Sequence, residues 1–478
     1  MQQIQIWLNQ LDRKTYALII GAAIGIIGGG LGIASLLLEP ELLAGGVIGG
    51  VIALYLLTDI HAALYAIVAV MMLLPFGTVP FDIGFTPTLI DSAAGGFLIV
   101  YISLWMTGKR RTITLTPVHI LIFAYVCWLL LAFALGLRHS PMTLNIARQF
   151  AGTLLALGLV FIVVDLLHDP QVLRRLVLVI LIGAAVQSAL AIFLYILPDH
   201  IADLALSRLG RFGYPVGGTI QYIESNPALP ERAIGTWIGP NSLAGMLAIS
   251  AVIIAPQVFA QKPVLKYRTL TLFVLAVVTI ALVLTFSRAS ALAFAAGLLV
   301  IAFAKYRRFI PLLIFVGGLS LLLPQTQAYL QRFVEAFTAS DLSTQMRIGE
   351  YTDSLRLISR YPIFGVGFTG TPDIDIYTDV ANMYLIMANQ IGLVGVAIFL
   401  MAMSGVFLYG LHAWRIAKHD PELDSIHLGY HAALVTALVN GAADLYFFRL
   451  DFQPLITLFW LTVALALASS RLALVKQG

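Results

Sequence analysis

Charged residues are scarce in this sequence. Asp, Glu, Lys and Arg together make up 11% of its 478 residues, whereas hydrophobic residues make up 60%. Soluble globular proteins carry about 25% charged residues, so this shortage excludes an ordinary soluble domain. It predicts an all-α, polytopic transmembrane bundle of about 12–14 spans with a large, partly helical outer loop. No nucleic-acid partner is expected.

Cysteine is almost absent as well. The single Cys127 excludes an intrachain disulfide and argues against a cysteine-based metal site. The segment Met1–Lys14 lacks the basic n-region and the cleavage site of a signal peptide. The apolar run that follows, Tyr16–Leu38, is too long for a signal peptide, so it is predicted to be an uncleaved first span.

Fourteen apolar runs approach the length of about 20 residues that a helix needs to cross a bilayer. They occupy residues 16–38, 42–58, 61–76, 89–107, 117–136, 149–167, 172–197, 239–260, 268–286, 289–304, 309–324, 382–410, 427–447 and 453–470. An even number of spans places both termini on the same side. The predicted organisation is N-terminal spans in 1–199, an outer loop at 200–238, further spans in 239–324, a large outer catalytic loop at 325–381 and C-terminal spans in 382–478.

Lysine and arginine are distributed differently over the two sides. All seven lysines fall in one set of connections, which the positive-inside bias assigns, with both termini, to the cytoplasm. The opposite side has no lysine but carries arginines at positions 138, 148, 208, 211, 232, 288, 332, 347, 356, 360 and 449. Two explanations remain open: bidentate recognition of phosphate, or pairing with outer carboxylates such as Glu224, Glu350 and Asp353.

The large outer loop contains one amphipathic segment. In "STQMRIGEYTDSLRLISRYP", Ile348, Tyr351, Leu355 and Ile358 recur at helical spacing, which predicts a helix that ends at Pro362. We expect this apolar face to rest on the membrane domain like a lid.

Arg288 stands inside the apolar stretch "VLTFSRASALAF", although an arginine at mid-bilayer costs at least about 2.5–3.5 kcal/mol. The charge bias turns this stretch into a hairpin with its bend on the outer side. Ser287 then caps the new helix, and Arg288 stands in the first turn. A lone arginine here would be explained by snorkelling to lipid phosphate.

Two further helices are predicted to start on the same side. "RAIGTWIGPNSLAG" leads into one, with Pro240 and Asn241 at its first positions, and "YTDVANMYLIMANQIGLVG" leads into the other. Helix N-termini are anion sites. Three of them with arginines nearby predict an outer pocket for a multiply charged anion.

These motifs resemble those of the O-antigen ligase and O-antigen polymerase superfamily, polytopic bacterial glycosyltransferases that use undecaprenyl-diphosphate-linked glycans. "TFSRASAL" resembles the family's Thr-x-Ser-Arg segment, and "GPNSLAGML" its Pro-Asn-x-x-Ala helix start. "RIGEYTDSLRLISRYPIFGVGF" resembles the large-loop helix with its Pro-x-x-Gly-x-Gly end, and "ANMYLIMANQIGLVG" the "His-Asn-x-Tyr-Leu" helix start. The resemblance covers residues 232–395.

The resemblance implies a metal-independent reaction without a cofactor in the bacterial inner membrane, with the active site facing the periplasm. A sugar hydroxyl attacks the anomeric carbon of the donor, and undecaprenyl diphosphate leaves. Arg288 and Arg232 would stabilise the charge on the diphosphate. Donor-binding candidates are Arg208, Arg211, Arg347, Ser287, Asn241, Asn382 and Tyr384, with a structural role favoured for the last three.

One position departs from the family. Ligases carry a histidine, thought to deprotonate the acceptor, where this chain has Ala381. A general base contributes 10²–10⁴-fold, so the difference needs an explanation. It is an engineered inactivating change, or a natural divergence in which Asp379 or Glu224 assists, which we favour, or a sign that the diphosphate leaves without a strong base. Asp373 and Asp375 are further candidates.

Ala381 favours a polymerase, which joins lipid-linked repeats, over a ligase, which transfers the glycan to lipid A-core. Expected partners are the lipid-linked glycan, membrane lipid, and the flippase and chain-length regulator with which family members often work. Two other classes stay open: a transporter of an anionic lipid or sugar, and an inactive glycan-lipid-binding homologue. The outer clustering of charge disfavours a transporter, in which ionisable groups usually lie near the midplane.

Overall fold

The computed structural model describes residues 49–50, 54–79, 84–311, 314, 342–371 and 380–476. The predicted spans 16–38, most of 42–58 and most of 309–324, together with Asp373, Asp375 and Asp379, lie outside these ranges. The chain divides into two compact units, residues 1–63 and 64–478. In the first unit the described residues form a helical stretch at 54–56 and the start of one longer helix.

The described chain is built almost entirely of α-helices. They are α1 (Ile60–Leu73), α2 (Leu89–Met106), α3 (His119–Gly136), α4 (Leu144–Leu166), α5 (Pro170–Ile196), α6 (Asp199–Ser207), α7 (Pro240–Ile254), α8 (Arg268–Leu284), α9 (Arg288–Ala304), α10 (Leu342–Arg360), α11 (Met383–Ala417), α12 (Asp424–Gly441) and α13 (Gln453–Val475). A two-residue antiparallel hairpin pairs β1 (Gln221–Tyr222) with β2 (Glu231–Arg232).

Seven of the described helices are long and apolar enough to cross a membrane: α2, α3, α4, α5, α7 with its 3₁₀ extension to Val258, α11 and α13. Three shorter apolar helices, α1, α8 and α9, accompany them. The predicted fold class, an all-α polytopic membrane protein, is confirmed. The predicted bend between residues 286 and 289 is present, since α8 ends at Leu284 and α9 starts at Arg288.

The core is formed by α7, α12 and α13. Almost every residue of α7 and α13 is buried, as is most of α12. Around them, α9 packs on both α7 and α12, and α4 and α11 pack on α13. Small residues allow the close approach: a side chain at Gly297 of α9 would collide with Thr436 of α12 and Val252 of α7. In lipid such contacts, rather than hydrophobic exclusion, drive helix association.

Helix α11 is broken at Gly392, whose φ of 71° and ψ of 173° interrupt the helical backbone. The segment after α10 docks into this break. Leu393 N–H donates to the Pro362 carbonyl at 2.8 Å, and Gly367 N–H donates to the Gln390 carbonyl at 2.9 Å. Any side chain at Gly392 would meet the Ile363 carbonyl. The Pro-x-x-Gly-x-Gly motif and the later glycines therefore fasten α10 to α11.

The predicted helix of the large loop is present as α10, but its predicted packing face is wrong. Ile348 and Leu355 are 51% and 59% exposed, whereas Leu357 is fully buried. The packed stripe contains Ser354, whose hydroxyl donates a 3.0 Å hydrogen bond to Asn389 of α11. Because this stripe is offset by one residue from the predicted face, α10 is rotated by about 100° from the predicted orientation.

Candidate functional site

A polar cavity of about 740 Å³ lies where α7 and α9 begin. Its volume falls within the usual range for small-molecule sites. Six of the predicted site residues line it: Glu224, Arg232, Asn241, Ser287, Arg288 and Arg347. The structure thus brings together residues that are as many as 123 positions apart in the sequence.

Arg232 at the end of the β-hairpin is held by hydrogen bonds on two sides. Its Nε donates to the Thr285 carbonyl at 2.8 Å, and its Nη2 donates to Oδ1 of Asn241 at 2.5 Å. The backbone is tied to the same turn, because Ala233 N–H donates to the Leu284 carbonyl at 2.9 Å. One guanidinium therefore joins the start of α7 to the α8–α9 turn.

The α8–α9 turn presents Arg288 to the cavity. Ser287 caps α9 by accepting the Ser290 N–H at 3.4 Å, as predicted. Ser290 in turn accepts a 3.0 Å hydrogen bond from the side-chain amide of Asn440 in α12. Arg288, the first helical residue, is thereby fixed relative to two neighbouring helices, α8 and α12.

The backbone around the cavity is strained. Within the described ranges, the non-glycine residues with positive φ are Glu224, Ser225, Ile238 and Phe286. Glu224, Ser225 and Phe286 all line the cavity, and each has a φ between 52° and 55°. Such conformations cost of order 1–3 kcal/mol each and cluster at functional sites. The clustering supports this cavity as the functional site.

Two of the three predicted helix N-termini face the cavity directly. Asn241 at the start of α7 and Ser287 and Arg288 at the start of α9 are lining residues. The third start, that of α11, does not line the cavity but contacts a residue that does. Met383 N–H donates to the carbonyl of the lining residue Asp444 at 3.0 Å. Positive helix ends and arginines together favour an anion.

Arg347 reaches the cavity from α10. Its helix is held by the Ser354–Asn389 bond and by Glu350, whose carboxylate accepts the Ala381 N–H at 3.1 Å. Arg347, Glu350, Ser354 and Leu357 follow one another at helical spacing. The packed stripe of α10 therefore places Arg347 at the cavity and the Glu350 carboxylate at Ala381, where the ligases that this chain resembles carry a histidine.

The remaining predicted residues lie elsewhere. Arg208 and Arg211 are exposed in a 3₁₀ turn and do not line the cavity. Asn382 caps α11 by accepting the amides of Tyr384 and Leu385, and the Tyr384 hydroxyl donates to the Leu438 carbonyl. These contacts match the structural roles favoured for Asn382 and Tyr384.

Sequence reasoning missed Asp444 as a cavity residue. It lies in the connection between α12 and α13 and is only 3% exposed. Burial raises its pKa to about 7, although Arg347 and Arg232 oppose the shift. Burial also raises the pKa of the neighbouring Tyr446 to about 12. In the sequence, the only sign of this role was one acidic residue at the end of an apolar run.

The arginines of the predicted outer side fall into two groups, one paired with carboxylates and one lining the cavity. Arg148, Arg356 and Arg449 pair with carboxylates: Arg148 with Asp91 at 2.6 Å, Arg356 with Asp353 at 3.3 Å and Arg449 with Asp451 at 2.8 Å. Arg232, Arg288 and Arg347 converge on the cavity instead. Their donors suit a diphosphate, because guanidinium groups bind phosphate in a bidentate manner.

Lysines lie at the helix ends opposite those that carry the cavity arginines. Lys305 follows α9, whose first residue is Arg288, and pairs with Asp424 at the start of α12. Lys262 and Lys476 pair with Glu422 and Asp420 in the connection before α12. Within the described ranges, no group of three or more His, Cys, Asp and Glu residues could hold a metal ion.

The central part of the chain matches a known protein family. Residues 270–400 match the family model described as O-antigen ligase. The matched segment contains α8 except its first two residues, α9, α10 and the first half of α11. It includes Ser287, Arg288, Arg347 and Ala381. Arg232, Asn241 and Asp444 lie outside it. No curated protein matches the chain.

Proposed function

We propose that this chain, which the match over residues 270–400 assigns to the O-antigen ligase and polymerase superfamily, transfers an undecaprenyl-diphosphate-linked oligosaccharide. The reaction is placed at the outer face of the cytoplasmic membrane. A second lipid-linked repeat is the favoured acceptor, which makes the protein a polysaccharide polymerase. Transfer to lipid A-core is the alternative.

The convergence of Arg232, Arg288 and Arg347 at one cavity carries this proposal. The acceptor hydroxyl attacks the anomeric carbon while the bond to the diphosphate oxygen breaks. Negative charge then grows on the leaving diphosphate. Guanidinium groups and helix starts that are already in position stabilise that charge without reorganising, and such stabilisation is usually the largest single contribution to catalysis.

The surface of α8 supports a lipid-linked donor. An apolar groove of about 410 Å³ runs along this helix from Leu272 to Leu284. Leu284 accepts the Ala233 N–H beside Arg232, so the groove ends next to the arginine cavity. A polyprenyl chain in this groove would keep its tail in the bilayer while its diphosphate enters the cavity.

The lysines support the membrane orientation. The lysines of the described ranges stand at the helix ends opposite the cavity, and basic residues next to spans favour the cytoplasmic side. The cavity then opens toward the periplasm or exterior. Ala381 supports a polymerase, since the ligases that this chain resembles carry a histidine there.

The test is a transfer assay on the purified protein in detergent, without a transmembrane gradient. Undecaprenyl-diphosphate-linked oligosaccharide is supplied alone or with lipid A-core, and both glycan products and released undecaprenyl diphosphate are measured. Lengthened lipid-linked glycan identifies a polymerase, and glycosylated lipid A-core identifies a ligase. We expect Arg288→Ala to reduce release by at least about 10²-fold.

The matched control is Arg356→Ala, which removes an exposed arginine paired with Asp353. It should retain wild-type transfer. Equal turnover by Arg288→Ala and the wild type would contradict the proposed role of this arginine. Movement of intact donor across vesicle membranes, with no bond cleavage in any assay, would identify a transporter instead.

A further inference from the structure

Asp444 is the most enclosed carboxylate at the cavity. Its side chain is 3% exposed, and among the described residues its Oδ2 atom has no hydrogen-bond partner. Burying a polar oxygen without a partner costs free energy. An acceptor hydroxyl that donates to this oxygen would satisfy it. Asp444 is also a lining residue of the cavity, so a ligand bound there is the available source of such a donor.

The backbone fixes Asp444 between two helix ends. Its N–H donates to the Asn440 carbonyl at 3.0 Å at the end of α12, and its carbonyl accepts the Met383 N–H at 3.0 Å at the start of α11. Asn440 also binds Ser290 of α9. Asp444 is thus tied to Met383, two residues after Ala381, and through Asn440 to the helix that starts at Arg288.

The charges that face Asp444 come from several elements. Arg232 of β2 and Arg347 of α10 act on it electrostatically, and Tyr446 of its own connection lies nearby. Arg288 of α9 and Glu224 of the 3₁₀ turn line the same cavity. Burial outweighs the arginines and raises the pKa of Asp444 to about 7, which is suited to a general base near neutral pH.

The other nearby carboxylates are less suited to accept a proton. Glu224 is exposed and stands on a strained backbone with a φ of 55°. Glu350 does not line the cavity, and its Oε2 accepts the Ala381 N–H. Asp444 combines burial, a lining position and an oxygen without a partner.

We propose that Asp444 is the catalytic base that deprotonates the acceptor hydroxyl in this chain. The inference rests on the proposed glycosyl transfer. The hydroxyl oxygen forms the new bond to the anomeric carbon, its proton moves to the Asp444 carboxylate, and the electron pair of the broken bond leaves with the diphosphate. The arginines bind that diphosphate, so donor binding and proton acceptance use different groups in one cavity.

Asp444→Asn tests this role because it keeps the shape and removes proton acceptance. We expect kcat/KM for transfer to fall by about 10²-fold or more. In the wild type, kcat/KM should rise with pH through about 7, because the base acts only when it is ionised. This rise should vanish in Asp444→Asn. The dissociation constant of undecaprenyl diphosphate should stay unchanged or fall, since a negative charge is removed.

Two variants serve as controls. Asp451→Asn makes the same change at an exposed position of the same connection. Glu231→Gln removes a second carboxyl whose pKa burial raises to about 7, but which does not line the cavity. Both should keep wild-type transfer and its pH dependence. Loss of the pH rise in Glu231→Gln or Glu224→Gln, with the rise retained in Asp444→Asn, would overturn the proposal.

Restoring activity with a second substitution distinguishes a role of Asp444 as a base from a role in positioning the arginines. Adding Ala381→His to Asp444→Asn supplies an imidazole at the position where the ligases that this chain resembles carry one, and we expect at least about a tenfold recovery of turnover. Ala381→Gln, which has bulk but no base, should give none. Loss of undecaprenyl diphosphate binding in Asp444→Asn, in parallel with turnover, would show a role in positioning the arginines instead. A wild type that neither binds donor nor cleaves it would contradict the proposed function itself.

Discussion

The guanidinium of Arg232 and the backbone carbonyl of Thr285 are joined by a 2.8 Å hydrogen bond. This contact connects the β1–β2 hairpin of the 200–238 segment to the turn that presents Arg288. Together with the bond to Asn241, it fixes the guanidinium at the wall of the cavity. Arg232 is therefore held in place before any ligand arrives, which lowers the entropic cost of using it.

Arg232→Lys should separate geometry from charge. Lysine keeps the positive charge but cannot make both fixed bonds with a planar fork. We expect donor binding to weaken only slightly while kcat falls by roughly 10²-fold, in line with the loss of one aligned donor. The measurement is a transfer assay with separate kcat and KM. A lysine variant with wild-type kcat would show that charge alone suffices.

Arg347 and Arg356 form a matched pair on α10. Arg347 lines the cavity, whereas Arg356 is exposed and pairs with Asp353. We expect Arg347→Ala to weaken undecaprenyl diphosphate binding and to reduce transfer by at least about tenfold, and Arg356→Ala to change neither. Equilibrium binding of undecaprenyl diphosphate measures the effect. Identical affinities for the two variants would place Arg347 outside the donor site.

Ala381→His tests whether this chain has lost its base or uses another. The backbone bond from residue 381 to Glu350 does not depend on the side chain, so the substitution should be tolerated. Because Asp444 is proposed to accept the proton, the Ala381 form should be active, and the histidine form should differ by less than about tenfold. Initial rates of both forms decide the matter. Turnover found only in the histidine form would show an inactivated enzyme.

Gly392→Ala should lower the stability of the folded protein. Its φ of 71° and the adjacent Ile363 carbonyl leave no room for a side chain. The cost should be of order 1–3 kcal/mol, seen as a lower thermal midpoint in detergent. Gly158→Ala in α4 is the control, because nothing lies within 4 Å of the added methyl group. Equal midpoints for the two variants would contradict the docked arrangement.

The raised pKa of Asp444 also predicts a pH-dependent stability. An unfolded aspartate ionises near pH 4, whereas the folded one does so at about 7, so the folded state binds the proton more tightly. Stability contributed by this group is full below about pH 4, falls between about 4 and 7, and is lost above. Asp444→Asn should therefore raise the thermal midpoint at pH 8 but not at pH 4. Parallel midpoint curves for variant and wild type would refute this.

Helix starts were the most predictable part of the site. The cap at Ser287 and the proline start at Pro240 follow from local chemistry, and both are present. Charge bias and the order of motifs were enough to suggest that Arg288 and Arg232 act together. These features depend on short-range rules, which a sequence displays directly.

The packing of α10 could not be predicted in the same way. Hydrophobic periodicity selected Ile348 and Leu355, but the buried stripe is set by the Ser354–Asn389 hydrogen bond and by docking at Gly392. The place of Asp444 in the cavity was not predicted for a similar reason, since its backbone is held by contacts to α11 and α12. Polar contacts between distant segments leave no periodic signal in the chain.

The break in α11 anchors α10 at one end, so a tilt of α10 there would displace Arg347 near the other end. The docked segment holds α10 at its C-terminal end, and Arg347 is 13 residues before Arg360, which is about 20 Å at 1.5 Å per residue. A tilt of about 5° at the anchor would displace Arg347 by roughly 2 Å, and a misplacement of about 1 Å can already cost 10²-fold in rate. A small change of angle at Gly392 would therefore become a change of position at the arginine that we propose binds the diphosphate.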